Sequence, residues 1–367
     1  MKAVVFSGTR DCGFAADILS YPAMSYMIDA SVNDGDLVFC AEALSGIDGR
    51  AETYSSLPEL CGRLSGDTET LVWTGAFPCI TRDTVLKLQT GGSGSVLAKG
   101  NVTAAFYVRA KDLSKGVPQG GRRVEIPEGQ WLSPDTAENA YAVQELMRRR
   151  INLSFMKKGV FFVDPMTTHI SPLAEIGEGT RLLPGCLIYG KTVIGKKCVV
   201  GPNSMLTDAV IGDGTSVNAS QLNKCSVGSS TTVGPFAYIR PDTKVGDGCR
   251  IGDFVELKNS NVGDGTKVSH LTYIGDSDLG ENINVGCGVV TVNYDGKYKY
   301  RTTVKDHAFI GCNVNLVAPV TVGEGSFIAA GSTITRDVPQ DSLAVARERQ
   351  KDIEGWAKKR RDAGKLK

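Results

Sequence analysis

Only three histidines occur in 367 residues, and one of them, His270, keeps company that the other two lack. SHLTY puts Tyr273 beside it, YIRP and FVELK carry Arg240 and Lys258, and NIN, VNYDG and KYK carry Asn284, Asn293, Tyr294 and Lys299. An amine attacks a thioester only as the free base, and an imidazole near its unperturbed pKa is suited to take its proton at neutral pH. Arg240 and Lys258 are 18 residues apart. Brought together near a tyrosine hydroxyl, a planar guanidinium fork and a point-charge ammonium form a clamp for a phosphate. The oxyanion that develops in acyl transfer needs an oriented donor, most simply a backbone N–H. Neither a metal nor a covalent intermediate is required.

Each residue also has a plainer reading. A lone histidine on a repeat face is ordinarily solvated or locally bonded, and Lys299 with its charged neighbours reads as a solvated loop. Asn284 reads as an ordinary corner residue, and His169 and His307 as structural. The constellation is what favours chemistry at His270.

A repeat must position these residues. Ile170, Ile176, Leu182, Ile188, Ile194, Val200 and Leu206 fall every six residues, as do Val227, Val233, Ile239, Val245, Ile251 and Leu257, and again Val304, Ile310, Leu316, Val322, Ile328 and Ile334. Between the runs the register slips by one residue, as at Val262 and Leu279. A period of six suits neither a helix nor an ordinary strand. It suits a parallel β-helix of hexapeptide repeats with one aliphatic pointing into a triangular prism at each side. The glycine after many of these aliphatics fits corners that need positive φ or close backbone approach. From Ile170 to about Val338 there is room for about nine coils of roughly 18 residues, so residues that far apart stack. The polar stretch 291–302 breaks the beat and reads as a loop thrown out from the prism, where solenoids carry function.

The remainder reads as an α/β domain over residues 1–130, a linker helix over 133–159, the solenoid over 165–340 and a basic tail over 341–367. The helix has Ser133 as N-cap, Pro134 at N1, Asp135 in the first turn, Ala140, Val143, Met147 and Ile151 at 3/4 spacing, and Gly159 at its end. In the first domain AVVF, DLVFC, ETLVW and AAFYV read as strands and TGGSGSVL as a loop. With 41 basic and 40 acidic residues the charge is near balance, which excludes a general nucleic-acid or membrane-surface binder. No apolar run of 18 residues occurs, and the apolar core of the first residues is too short for a signal peptide, so a cytoplasmic protein is expected. Ten scattered cysteines without a CxxC pair read as reduced and mostly structural.

The motifs GPFAYIRP, GDFVELKNS, SHLTYIGD, NVGCGVVTVNYDG, LVAPVTVG and IAAGSTITRDVP resemble the acetyltransferase half of the bacterial bifunctional N-acetylglucosamine-1-phosphate uridyltransferase/glucosamine-1-phosphate acetyltransferase family. The resemblance runs from the linker helix to EGW. It implies a left-handed β-helix that assembles as a homotrimer with active sites between subunits, and acetyl-CoA as co-substrate with an amino-sugar phosphate. It makes His270 the general base, with Arg240, Lys258 and Tyr273 on the phosphate and Asn284 and Lys299 on the sugar. Asn293 and Tyr294 would contact sugar and acetyl group, and Cys312, Ala330 and Arg347 would bind coenzyme A. Cys312 stands where some members have serine. The product would be N-acetylglucosamine 1-phosphate, for UDP-N-acetylglucosamine and cell-wall synthesis.

The nucleotidyltransferase-like first domain departs from the pattern. It keeps Gly8, Thr9 and Arg10 of the glycine-rich loop, but Ala23 follows the proline where the family has lysine, and TGAFP has Ala76 in place of the magnesium-binding aspartate. The domain is also far shorter than the family's. Loss of uridyl transfer is therefore expected, with acids such as Asp17 or Asp29 available only to a site rebuilt from a rearranged loop. The competing readings are a fully bifunctional enzyme and a non-catalytic sugar-phosphate-binding solenoid.

Overall fold

Five residues at the start, KAVVF, bury both of their faces. Val4 and Phe6 enter one apolar cluster with Leu71 and Trp73, while Ala3 and Val5 enter another with Val72 and Phe106. A strand apolar on both sides belongs inside a sheet covered on both faces. In the computed structural model, which describes residues 2–8 and 13–367, β1 (Lys2–Phe6) has parallel neighbours on either side, β2 (Leu37–Ala41) and β4 (Glu69–Trp73). Parallel β3 (Glu52–Tyr54) flanks β2. Beyond β4 come β5 (Ser95–Lys99), β6 (Val102–Arg109) and β7 (Arg123–Glu125), giving the order β3-β2-β1-β4-β6-β5-β7. Helices α1 (Ala23–Ser31) and α3 (Arg82–Thr90) pack on one face and α2 (Leu57–Arg63) on the other. Thr9 and Arg10 of the glycine-rich remnant lie outside the described residues.

Two local expectations are corrected. Part of TGGSGSVL is strand, because the Gly94 N–H donates to the Tyr107 carbonyl at 2.7 Å and starts the β5–β6 ladder. The linker helix α4 (Ala137–Lys157) begins after Ser133 and Pro134: its N-cap is Thr136, whose hydroxyl accepts from the Asn139 N–H at 3.1 Å. Pro134 is packed instead on Gly13, where a Cβ would come within 3.1 Å of the proline backbone. Val143 and Met147 of α4 join the apolar cluster of the sheet. Asn152 donates to the carbonyls of Pro165 and Thr168, both at 3.0 Å, and so fixes the helix to the chain that enters the first coil. His169 is half-buried beside this joint, and burial, aided by the charge of Arg148, pushes its imidazole down.

Contacts divide the chain into two units, Met1–Asp213 and Gly214–Lys367, so the division falls within the repeats. In each unit the repeats form left-handed parallel β-helix coils of short strands. Ile188 pairs with Leu206 in the first, and Ile239 with Leu257 and Leu257 with Ile274 in the second. The aliphatics of the six-residue beat are buried, Leu182, Val200, Ile239 and Leu257 completely. The glycine after the aliphatic serves close approach: a Cβ on Gly246 would lie 2.9 Å from the Asp264 backbone nitrogen on the next coil.

The ladder runs past both expected solenoid boundaries. Phe161–Phe162 pair with Arg181–Leu182, and Leu343–Ala344 with Phe327–Ile328. Backbone pairing continues there although the aliphatic beat does not, so the six-residue spacing does not mark these outer strands. The tail then forms α5 (Trp356–Asp362). No helix of the described residues is long and apolar enough to cross a membrane.

Candidate active site

Strands Lys267–His270 and Tyr273–Gly275 lie on two different sides of the prism, and His270 stands at the corner between them. Asp253 is its register partner one coil away. Pairing of Val268 with Val285, Ile310 with Val285 and Ile328 with Ile310 extends the column through Cys287, Cys312 and Ala330. Arg347 follows at the next level: a Cβ on Gly331 would lie 3.5 Å from its Cδ. One corner thus carries Asp253, His270, Cys287, Cys312 and Ala330 in line.

His270 Nδ1 lies 2.5 Å from Asp253 Oδ1. The hydrogen bond from the histidine holds the Asp253 carboxyl below the usual carboxylate range. With Asp253 ionised, Nδ1 carries the proton and Nε2 presents its lone pair, a tautomer inferred from this bond. The ring is half exposed, so Nε2 can meet a substrate.

A cationic cluster lies on the adjoining side. Arg240 and Lys258 occupy stacked positions, as the pairing of Ile239 with Leu257 requires. The guanidinium of Arg240 is bound to Glu256 at 2.7 Å, and the ammonium of Lys258 lies 3.5 Å from Asp276. Asp276 is buried and also accepts from the Asn259 amide at 2.6 Å and from the Asn293 amide. Burial pushes its carboxyl up, but these donors and Lys258 outweigh that and hold it below its ordinary value. Interaction with the Lys299 amine, seconded by Asp276, raises Lys258, while the neighbouring Lys258 pushes Lys299 down.

The ejected loop is shorter than its sequence suggests, because Thr291 and Thr302 remain in strands Val290–Val292 and Thr302–Val304. Inside it Asp295 accepts from the Lys297 and Tyr298 N–H groups at 2.7 and 2.6 Å. At its base the Arg301 guanidinium binds Asp278 at 2.9 and 2.6 Å and the Ser277 carbonyl at 3.1 Å. These bonds fasten the segment that brings Asn293 to Asp276 and Lys299 to Lys258.

The structure therefore gathers Lys258, Asn293 and Lys299, with Arg240 stacked beside them. Tyr273 lies on the same side, its hydroxyl over Gly275. Asn284 does not join them, since it lies on the strand side that leads into the His270 corner, between Lys267 and Phe309. Tyr294 is exposed and donates to its own loop at Gly296. Asp253, Glu256, Asn259 and Asp276 were missed in the sequence. Asp276 carried a signal, being 18 residues beyond Lys258, whereas Asp253, 17 before His270, falls off the regular coil spacing.

Gly275 is small for a stated reason. A Cβ there would stand 2.3 Å from the Tyr273 hydroxyl. Gly275→Ala should push the ring out of the cluster and weaken the binding of inorganic phosphate there severalfold, with the melting temperature as the control. Unchanged phosphate affinity would separate Tyr273 from the cationic cluster.

The bacterial transferase hexapeptide (six repeats) family matches residues 173–208, 224–259 and 301–336. Bifunctional protein GlmU of Clostridioides difficile (strain 630) is 54% identical over 256 residues, 70% of this chain and 55% of that protein. Bifunctional protein GlmU of Alkaliphilus oremlandii (strain OhILAs) is 51% identical over 229 residues, 62% of this chain and 50% of that protein. The chain spans about half the length of these curated relatives. Among solved structures, the UDP-N-acetylglucosamine acyltransferase from Campylobacter jejuni superposes with a TM-score of 0.26 at 20% identity, over 48% of this chain and 71% of that one.

Proposed function

We propose, from the premise that this chain belongs to the family of the bifunctional GlmU proteins, that it transfers acetyl from acetyl-CoA to the amine of glucosamine 1-phosphate. The observation that carries this reading is the His270–Asp253 pair at the corner that opens the side on which Tyr273 lies and Arg240 and Lys258 stack. In this reading Lys258, Arg240 and Tyr273 hold the phosphate, Lys299 and Asn284 the sugar, and Asn293 and Tyr294 the region between sugar and acetyl group. Cys312, Ala330 and Arg347 bind the donor further along the same corner. Nε2 of His270 takes the amine proton as nitrogen attacks the thioester carbon, and Asp253 stabilises the imidazolium that forms. Collapse of the tetrahedral intermediate breaks the C–S bond, and the departing thiolate is protonated in turn. Thiol release with glucosamine 1-phosphate, glucosamine, glucosamine 6-phosphate and galactosamine 1-phosphate as acceptors tests the assignment. Preference for the first supports it, and equal rates with unphosphorylated glucosamine contradict the phosphate clamp.

A homotrimer is part of the proposal. Phe236, Phe254 and Leu271 form a stripe beside the His270 corner, each more than half exposed and each in left-handed backbone with φ of 58, 54 and 47°. The two rings stack at 5.4 Å. Left-handed backbone recurs at the coil corners, as at Ala219 and Asn313, so the coil itself dictates it, and it is these exposed apolar side chains that a second copy of this chain covers. It also explains how Asn284, on the other side of the corner, reaches a sugar held by its neighbour. Phe254→Asp should break the assembly in light scattering and remove most acetyl transfer. A fully active monomer would sink the trimer.

Uridyl transfer is proposed to be lost. Ala76 and Ala23 are completely buried in the apolar cluster, and Asp29 is engaged by the Arg50 guanidinium at 2.6 Å and the Tyr21 hydroxyl at 2.9 Å. Among the described residues no group of three acids, histidines or cysteines is placed to hold a metal. Ala76, where the family has its aspartate, offers no ligand to magnesium, which supports the loss. Incubation with UTP, magnesium and N-acetylglucosamine 1-phosphate should release no pyrophosphate, and release at a rate comparable to acetyl transfer would overturn this.

A further inference from the structure

Cys287 and Cys312 are in register on successive coils at the donor corner. Val285 pairs with Ile310 two residues before them, and the Asn313 N–H donates to the Cys287 carbonyl at 2.7 Å. Paired strands lie about 4.8 Å apart, within the Cα separation of about 4.4 to 6.8 Å that a disulfide spans. Cys312 is exposed and Cys287 half-buried, whereas the other described cysteines are buried apart from Cys61 in the first unit. The coils are tight here: a Cβ on Gly286 would sit 2.7 Å from the Cys312 nitrogen. The two thiols therefore share one corner, between His270 and Ala330.

We propose that Cys287 and Cys312 form a reversible disulfide that closes the donor side of the corner, making the pair a modification site for small disulfides. The Cys312 thiolate attacks a disulfide RSSR, forming a mixed disulfide and expelling one thiolate. Cys287 then attacks the Cys312 sulfur of that mixed disulfide, forming the protein bridge and expelling the second thiolate. Two protein thiols are oxidised, one RSSR is reduced to two RSH, and the thiol protons pass to the leaving groups. Partly exposed bridges of this kind are the labile and regulatory ones. Closure rests on the proposed donor site; bridge formation does not.

The test is to treat the reduced full-length protein with bis(2-hydroxyethyl) disulfide and follow peptide masses and coenzyme A binding. After trypsin, the peptide ending at Lys297 should be joined to the peptide beginning at Asp306, and dithiothreitol should separate them. Coenzyme A affinity should fall at least tenfold on bridging and return on reduction. Cys287→Ser should bind coenzyme A as the reduced wild type does and yield no joined peptides. Mixed adducts alone on the wild type would overturn the bridge. A bridge without loss of affinity would overturn the closure, and reduced protein that binds no coenzyme A would refute the donor site while the masses still decide the bridge.

Discussion

His270→Ala should lower kcat by about 10² to 10⁴, the usual contribution of a positioned general base, while KM for the sugar phosphate changes little. The imidazole is fixed by Asp253 at 2.5 Å and lies outside the cationic cluster, so its loss removes proton transfer and leaves the phosphate contacts in place. Asp253→Asn should cost less, up to about 10²-fold, the scale of a small misplacement of a reacting group, because an amide oxygen can still accept from Nδ1. Both effects belong in kcat, measured by thiol release at saturating acceptor. Turnover near wild type in His270→Ala would remove it from the role, whatever the cluster beside it does.

Lys258→Ala should weaken acceptor binding by about 1.5 to 3 kcal/mol, the range for a charge-assisted hydrogen bond, or roughly tenfold to 150-fold in Kd. Arg240→Ala should do less, since its guanidinium is more exposed and already bound to Glu256. Lys258 has a second task that must be separated from the first. Removing it leaves the buried Asp276 carboxylate without its cation, a destabilising change that the Asn259 and Asn293 donors only partly offset. Lys258→Ala combined with Asp276→Asn keeps the binding defect while restoring the melting temperature. Wild-type acceptor affinity in Lys258→Ala, with acetyl-CoA affinity lost instead, would contradict the clamp.

The β-helix was legible because each inward position demands the same kind of side chain, so six-residue spacing alone exposes Ile170 to Leu206. The stacking of Arg240 on Lys258 was legible for the same reason, their separation being one regular coil. Asp253 was hidden by the slip at Val262, which shortens its coil to 17 residues. The Cys287–Cys312 pair was hidden by the ejected loop, which lengthens the coil between them. Helix α4 was read from a proline signal that packing on Gly13 overrides, and the outer strands at Phe161 and Leu343 carry no aliphatic beat. Regular spacing thus reveals neighbours only where coil length is constant.

The most direct measurement of the central claim is product formation by the purified protein from acetyl-CoA and glucosamine 1-phosphate, identified by mass and nuclear magnetic resonance. N-acetylglucosamine 1-phosphate formed in step with free coenzyme A, and abolished by His270→Ala, is the predicted result. Protein that binds the sugar phosphate yet releases no thiol with any amino-sugar phosphate would contradict it.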